Sequence, residues 1–281
     1  MSLDVKIYSD SNRYKLSAVL KQSVQGFRRS FYLARQLAGR DIKAQYRQSV
    51  LGILWAIVPV LMTSLVWIFL QSSGTISLDS TGLPYPVFVL MGTSIWSVWT
   101  ECFTLPTITV NANKSIITKI NFDKEALITL GFMKMGFNFL IKISMVAVFM
   151  LLYRVTPGWS LLAFLPLLML TIFFCLSIGI FLAPIGILYH DIGKAIPVVM
   201  QLLMYISPVV YSSPRTGLMK NLMQWNPFYY MMDDLRHCLT GGTIEHGVFW
   251  IVLFLITTLL LMLSLVVYRV SMPIITERMS A

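Results

Sequence analysis

Residues 39–71, GRDIKAQYRQSVLGILWAIVPVLMTSLVWIFLQ, set Arg40, Asp41, Lys43 and Arg47 directly against a run, 48–71, that has no charged side chain. A helix needs about 20 apolar residues to cross the hydrocarbon core of a bilayer. Six stretches of this kind occur, at 50–71, 85–107, 134–153, 160–187, 195–212 and 248–269. Only 12% of the residues are charged and 57% are hydrophobic, against about 25% charged in soluble proteins. Mean hydropathy is +0.74. The expected fold class is therefore an all-α integral membrane protein of six transmembrane helices.

The net charge is +10, and Lys6, Arg13, Lys15, Lys21, Arg28, Arg29, Arg35, Arg40, Lys43 and Arg47 all precede the first apolar run. Such clustering fits a membrane surface and anionic phospholipids. It does not fit nucleic acid, because no aromatic-and-basic nucleic-acid module follows. Cys102, Cys175 and Cys238 match no zinc pattern. The opening MSLDVKIYSDSNRYK is polar, so no signal peptide is expected.

Orientation follows the basic loops. The loop after the first span lacks Lys and Arg, whereas the next carries Lys114, Lys119 and Lys124. This predicts a first loop outside, and N- and C-termini in the cytoplasm. The fifth connection carries Arg215, Lys220 and Arg236, which argues against an outside location, but six spans force it outside. It is apolar and aromatic, broken at Asn226-Pro227 and Gly241-Gly242, as expected of short interfacial helices before the last span. Trp225, Phe228 and Tyr229 suit that depth.

On a helical wheel, Phe27, Phe31, Ala34, Ala38 and Ile42 share one face and Arg29, Arg40, Lys43 and Arg47 the opposite one. The expected organisation is a cytoplasmic segment 1–26, an amphipathic interface helix 27–47 on the membrane surface, a six-span domain 48–270 and a tail 271–281. The helix is either a topological anchor or a docking surface for a cytoplasmic partner. Asp41, set toward its apolar side, favours docking.

No catalytic or metal constellation emerges. His190, His237 and His246 have no metal-ligand spacing to another His or Cys. Asp233, Asp234 and His237 form the nearest approach to a site and are expected to be a polar edge of an interfacial helix. No phosphate-cradling G-x-x-x-x-G-K-[ST] occurs. There is no inverted repeat, and Glu101 is the sole acidic residue within a span, so a secondary transporter is disfavoured. A membrane glycosyltransferase or acyltransferase would need more than the Asp233 group offers.

The blocks GRDIKAQYRQSVLGILWAIVPVL, LPYPVFVLMGTSIWS, NANKSIITKINF, YHDIGKAIPVVMQLLMYISPVVY and WNPFYYMMDDLRHCL together resemble, in order, the type-2 permeases of ABC transporters. The resemblance covers about residues 30–270 and points to the branch that exports O-antigen-like polysaccharides and teichoic acids. The family commonly has Phe-Pro where this chain has Phe122-Asp123. Lys134, Asn138 and Lys142 are unusual in a third span. If that helix starts in the cytoplasm, Lys134 snorkels back to the interface. Lys142 then faces the bundle interior or pairs with Glu101, because a lone charge at depth costs about 2.5–3.5 kcal/mol even on insertion scales.

The resemblance implies a homodimer in a bacterial inner membrane, two separate ABC ATPase subunits that bind ATP and Mg, and export of a lipid-linked glycan from cytoplasm to periplasm. A drug, lipid or haem exporter of the same fold is the alternative. Arg40, Asp41, Lys43, Arg47, Asn113, Lys114 and Lys119 are the expected ATPase-coupling residues. Trp55, Tyr205 and Tyr211 are expected to line a channel between the first and fifth spans, and Trp225, Phe228 and Tyr229 to form a periplasmic gate.

Overall fold

In the computed structural model, residues 16–47, 49–74, 83–120, 122–212 and 218–280 are described. Residues 1–15 and most of the first loop lie outside them. Among the described residues every regular element is helical. In chain order these are α1 (Leu16–Arg47), a 3₁₀ turn (Gly52–Ala56), α2 (Val58–Ser72), α3 (Tyr85–Ala112), α4 (Lys114–Ile117) and α5 (Glu125–Leu152), followed by α6 (Leu161–Leu188), α7 (His190–Tyr205), α8 (Leu218–Gln224), α9 (Pro227–Leu239) and α10 (Gly247–Ser280).

Three of these, α5, α6 and α10, are long and apolar enough to cross a membrane. α3 has the length, at 28 residues, but its Ser, Thr, Trp and Glu101 make it more polar. α2 and α7, with 15 and 16 residues, reach only about 22–24 Å at 1.5 Å per residue. The first apolar run is therefore not one helix. Gly52, at φ +51, takes a left-handed conformation that glycine adopts without steric cost, and the 3₁₀ turn intervenes before α2.

α3 is the central helix. Pro86 sits in its first turn, where a missing N–H costs nothing, and the helix is buried on nearly every side. It packs on α6 through Gly179, whose missing side chain leaves room for the Cys102 carbonyl and the Phe103 backbone. Trp99 Nε1 donates to Thr171 Oγ1 across that seam at 3.0 Å. Trp96, Trp99 and Phe103 of α3 surround Phe228 of α9.

Several expected boundaries shift. The N-terminal helix begins by Leu16, so residues 16–26 belong to it. Its buried stripe is Val19, Ser23, Gly26, Ser30, Ala34, Leu37 and Ala38, packed on α5 and α10. Phe31, expected on the apolar face with Ala34 and Ala38, is exposed and takes no part in that protein contact. The small residues win the protein contact because they let backbones approach closely, while Val24 and Phe31 stay outside. The third span starts at Glu125, nine residues early. The fifth helix ends at Tyr205, and the last continues through the expected tail to Ser280.

Candidate functional site

Polar side chains gather at the two ends of α3. At its C-terminal end, Arg40 Nη2 donates to Asp41 Oδ1 at 2.8 Å and to Asn113 Oδ1 at 3.1 Å. Asn113 is buried and donates Nδ2 to the Thr109 carbonyl at 2.9 Å. Asp41 Oδ2 lies 3.9 Å from Lys134 Nζ of α5. One polar node thus joins α1, the end of α3 and α5. Of the expected coupling residues, Arg40, Asp41 and Asn113 meet here. Lys43, Arg47 and Lys119 are exposed, and Lys114 is half-buried at the start of α4.

Deeper along α5 the node becomes a chain. The Tyr46 hydroxyl donates to Asn138 Oδ1 at 3.4 Å, and Asn138 Nδ2 to Glu101 Oε2 at 3.4 Å. Glu101 Oε1 pairs with Lys142 Nζ, which also donates to Ser97 Oγ at 2.8 Å. Lys142 is 3% exposed, and its pairing with Glu101 is one of the two solutions expected from the sequence. A further pair, Glu125 with Arg269, joins α5 to α10. Gly26 of α1 leaves room for that carboxylate, since a Cβ there would lie 2.9 Å from Glu125 Oε2.

At the other end of α3, α9 supplies the polar groups. Asn226 caps α9, accepting from the Phe228 N–H at 3.0 Å and donating Nδ2 to Ser207 Oγ at 2.9 Å. Arg236 is buried, donates to the Pro208 and Val209 carbonyls, and covers the Phe88 ring. Gly92 admits it, because a Cβ there would strike Val209 O and Arg236 Nη2. Asp234 is fully buried and accepts from Glu245 N at 3.1 Å, His246 N at 3.3 Å and Trp250 Nε1 at 2.6 Å, with His246 Nδ1 at 3.1 Å. Burial pushes the neighbouring Asp233 carboxyl up, against the pull of His237, His246 and Arg236. Asp233, His237 and Glu245 each bring a potential ligand atom within 4.8 Å of the others, and Glu245 Oε1 is 3.9 Å from His237 Nδ1. Asp234 is thus an interior acceptor, not part of a polar edge.

The expected channel and gate residues scatter. Trp55 lies in the 3₁₀ turn before α2 and is 54% exposed. Tyr205 ends α7, half-exposed, with its ring 6.5 Å from Trp67 of α2. Tyr211 follows the helix and donates its hydroxyl to the Tyr205 carbonyl. In the gate group, Trp225 is 90% exposed, whereas Phe228 is 6% exposed, so Phe228 is a core residue. Tyr229 stacks edge-on with Tyr230 and His246. Sequence reasoning counted Arg236 only as a loop charge and passed over Gly92 and the Glu125–Arg269 pair. The available signal for Arg236 was its position among Met232, Leu235 and Leu239, an apolar helical spacing that buries it.

The ABC-2 type transporter profile matches residues 32–240, from α1 to just past α9. The chain belongs to the ABC-2 type transporter family. The match takes in both polar ends of α3. This ABC-2 chain is 24% identical over 219 residues to an O-antigen export system permease protein RfbA of Klebsiella pneumoniae, covering 77% of this chain and 83% of that one. A protein of the same name from Myxococcus xanthus is 23% identical over 203 residues, covering 71% and 77%.

Proposed function

We infer that this ABC-2 chain is the membrane-spanning subunit of an ATP-driven exporter that moves a lipid-linked, O-antigen-like polysaccharide from cytoplasm to periplasm. The observation that carries this is the family match over residues 32–240 joined to relatives named as O-antigen export permeases. In this reading the chain crosses a bacterial inner membrane six times. α3, α5, α6 and α10 cross alone, α2 crosses with the 3₁₀ turn before it, and α7 with the turn after it. Both termini are cytoplasmic. Two separate ABC ATPase subunits bind ATP and Mg and drive transport.

The docking surface is the exposed basic face of α1 with the segment around α4. Support comes from the Arg40–Asn113 bond, which ties these two elements together. A push on either is then felt by both.

The chain works as a homodimer, with α2 and α7 facing the partner protomer and the polymer. These are the least buried apolar helices: Met62, Leu65, Val66 and Phe69 of α2 and Val198, Val199 and Leu202 of α7 are exposed. Trp55, Tyr205 and Tyr211 offer a sliding glycan successive weak stacking surfaces along that path. Trp225 and Tyr229 stand at the outer end.

The test is a deletion strain. Surface polysaccharide should disappear while lipid-linked polymer accumulates inside. Expression of this chain restores the surface polymer only if the companion ATPase keeps its nucleotide site. Normal surface polysaccharide in the deletion strain refutes the reading.

A further inference from the structure

A charge inside a membrane-spanning helix is costly and calls for a physical account. α5 carries Glu125, Lys134 and Lys142, and Asn138 between them. Each charge is matched by a different neighbour. Glu125 pairs with Arg269 of α10, Lys134 with Asp41 of α1 and Lys142 with Glu101 of α3. Asn138 joins Tyr46 of α1 to Glu101 of α3. Along α5 these contacts lie about 14, 20 and 26 Å beyond Glu125, at 1.5 Å per residue.

Stability alone does not explain the ladder. Well-packed apolar residues commonly serve as well as, or better than, a buried ion pair. An ion pair does what apolar packing does poorly: it selects one register, because sliding by a turn separates both partners. Here three helices are held in register against a fourth. α3 packs on α9 along its middle, at the level of Glu101, where Trp96, Trp99 and Phe103 enclose Phe228, and again at its N-terminal end, where Phe88 lies under Arg236.

We propose that α5 is a transmission strut and that Glu101 and Lys142 are positioning residues, converting displacement of α1 by the ATPase into movement of α3 and, through it, α9. This rests on the export reading above. Tyr46 and Asp41 bring the motion from α1 into α5. Asn138 and Lys142 hand it to Glu101. Neither Glu101 nor Lys142 belongs to the docking face, so ATP hydrolysis itself does not require them.

The experiment uses the whole complex of this chain with its ATPase, reconstituted in phospholipid vesicles. Polymer moved per ATP hydrolysed is compared for wild type, Glu101→Gln with Lys142→Met, and the exchanged pair Glu101→Lys with Lys142→Glu. The neutral pair should assemble and hydrolyse ATP as wild type does, while polymer moved per ATP falls about tenfold, within the ordinary range of coupling between sites. The exchanged pair should recover most of it. A neutral pair with the wild-type ratio overturns the inference. Export that falls only in step with assembly or hydrolysis, in either double variant, also overturns it, because that marks a folding role. A wild-type complex that moves no polymer with ATP refutes the export reading itself, and this inference with it.

Discussion

The guanidinium of Arg236 lies 3.6 Å from the centre of the Phe88 ring. A cation over an aromatic face is attracted by the ring quadrupole, and the planar fork leaves its N–H groups free for carbonyls in the same plane. Here those belong to Pro208 and Val209. A single side chain of α9 therefore holds both the start of α3 and the turn after α7.

Replacing Arg236 with alanine should lower the thermal midpoint of the purified protein strongly. Each buried carbonyl left without a donor costs about 1–3 kcal/mol. Lysine should recover little, because a point charge cannot serve two carbonyls and stack on the ring together. A lysine variant as stable as wild type would show that charge alone matters at this position.

Two glycines give opposite expectations. A Cβ at Gly179 would run into the Cys102 carbonyl and the Phe103 backbone, whereas one at Gly136 meets nothing within 4 Å. Gly179→Ala should separate α3 from α6 at a cost of about 1–3 kcal/mol, the usual range for overpacking. Gly136→Ala should be neutral or gain up to about 1 kcal/mol from helix propensity. Thermal unfolding in detergent measures both.

Asp233 should confer a pH dependence. Burial raises its pKa above the ordinary 3.8, so the folded state binds a proton where the unfolded state has lost it. Stability from this group then falls as pH rises from 3.8 to the raised value, and stays reduced above it. Asp233→Asn should raise the thermal midpoint at neutral pH, and the gain should shrink to nothing below pH 3.8. A gain equal at all pH values would mean that ionisation is not its cause.

Arg40 and Asn113 should act as one unit. Arg40→Ala and Asn113→Ala should each weaken recovery of the ATPase with the purified chain, and the double variant should do little more than either, since residues that share one contact are not additive. Lys43→Ala, on the exposed face, should add to either one in full. Simple additivity between Arg40 and Asn113 would mean that their hydrogen bond does not support docking.

Much of this was legible in the chain. Low charge and repeated apolar runs required a helical membrane protein, because unpaired backbone groups are not tolerated in lipid. The Glu101–Lys142 pair was legible as one of two solutions, since a lone lysine at depth needs either a polar interior or an acid and the spans contain one acid. Arg40, Asp41 and Asn113, grouped from the sequence, do meet in one polar node, because polar groups of helix and loop cluster visibly in an otherwise apolar chain.

What the tertiary structure alone decided is which apolar surface meets protein and which meets lipid. Phe31 and Ala34 look equally fit for burial, yet Phe31 is exposed and Ala34 is buried. Phe228 resembles its neighbour Trp225 as an interfacial aromatic, yet it fills a socket of tryptophans. In water, hydrophobicity would separate inside from outside. In a bilayer the lipid is as apolar as the core, so the choice falls to close backbone approach and to polar partners such as Arg236 and Asp234, and these are brought together only when distant helices pack.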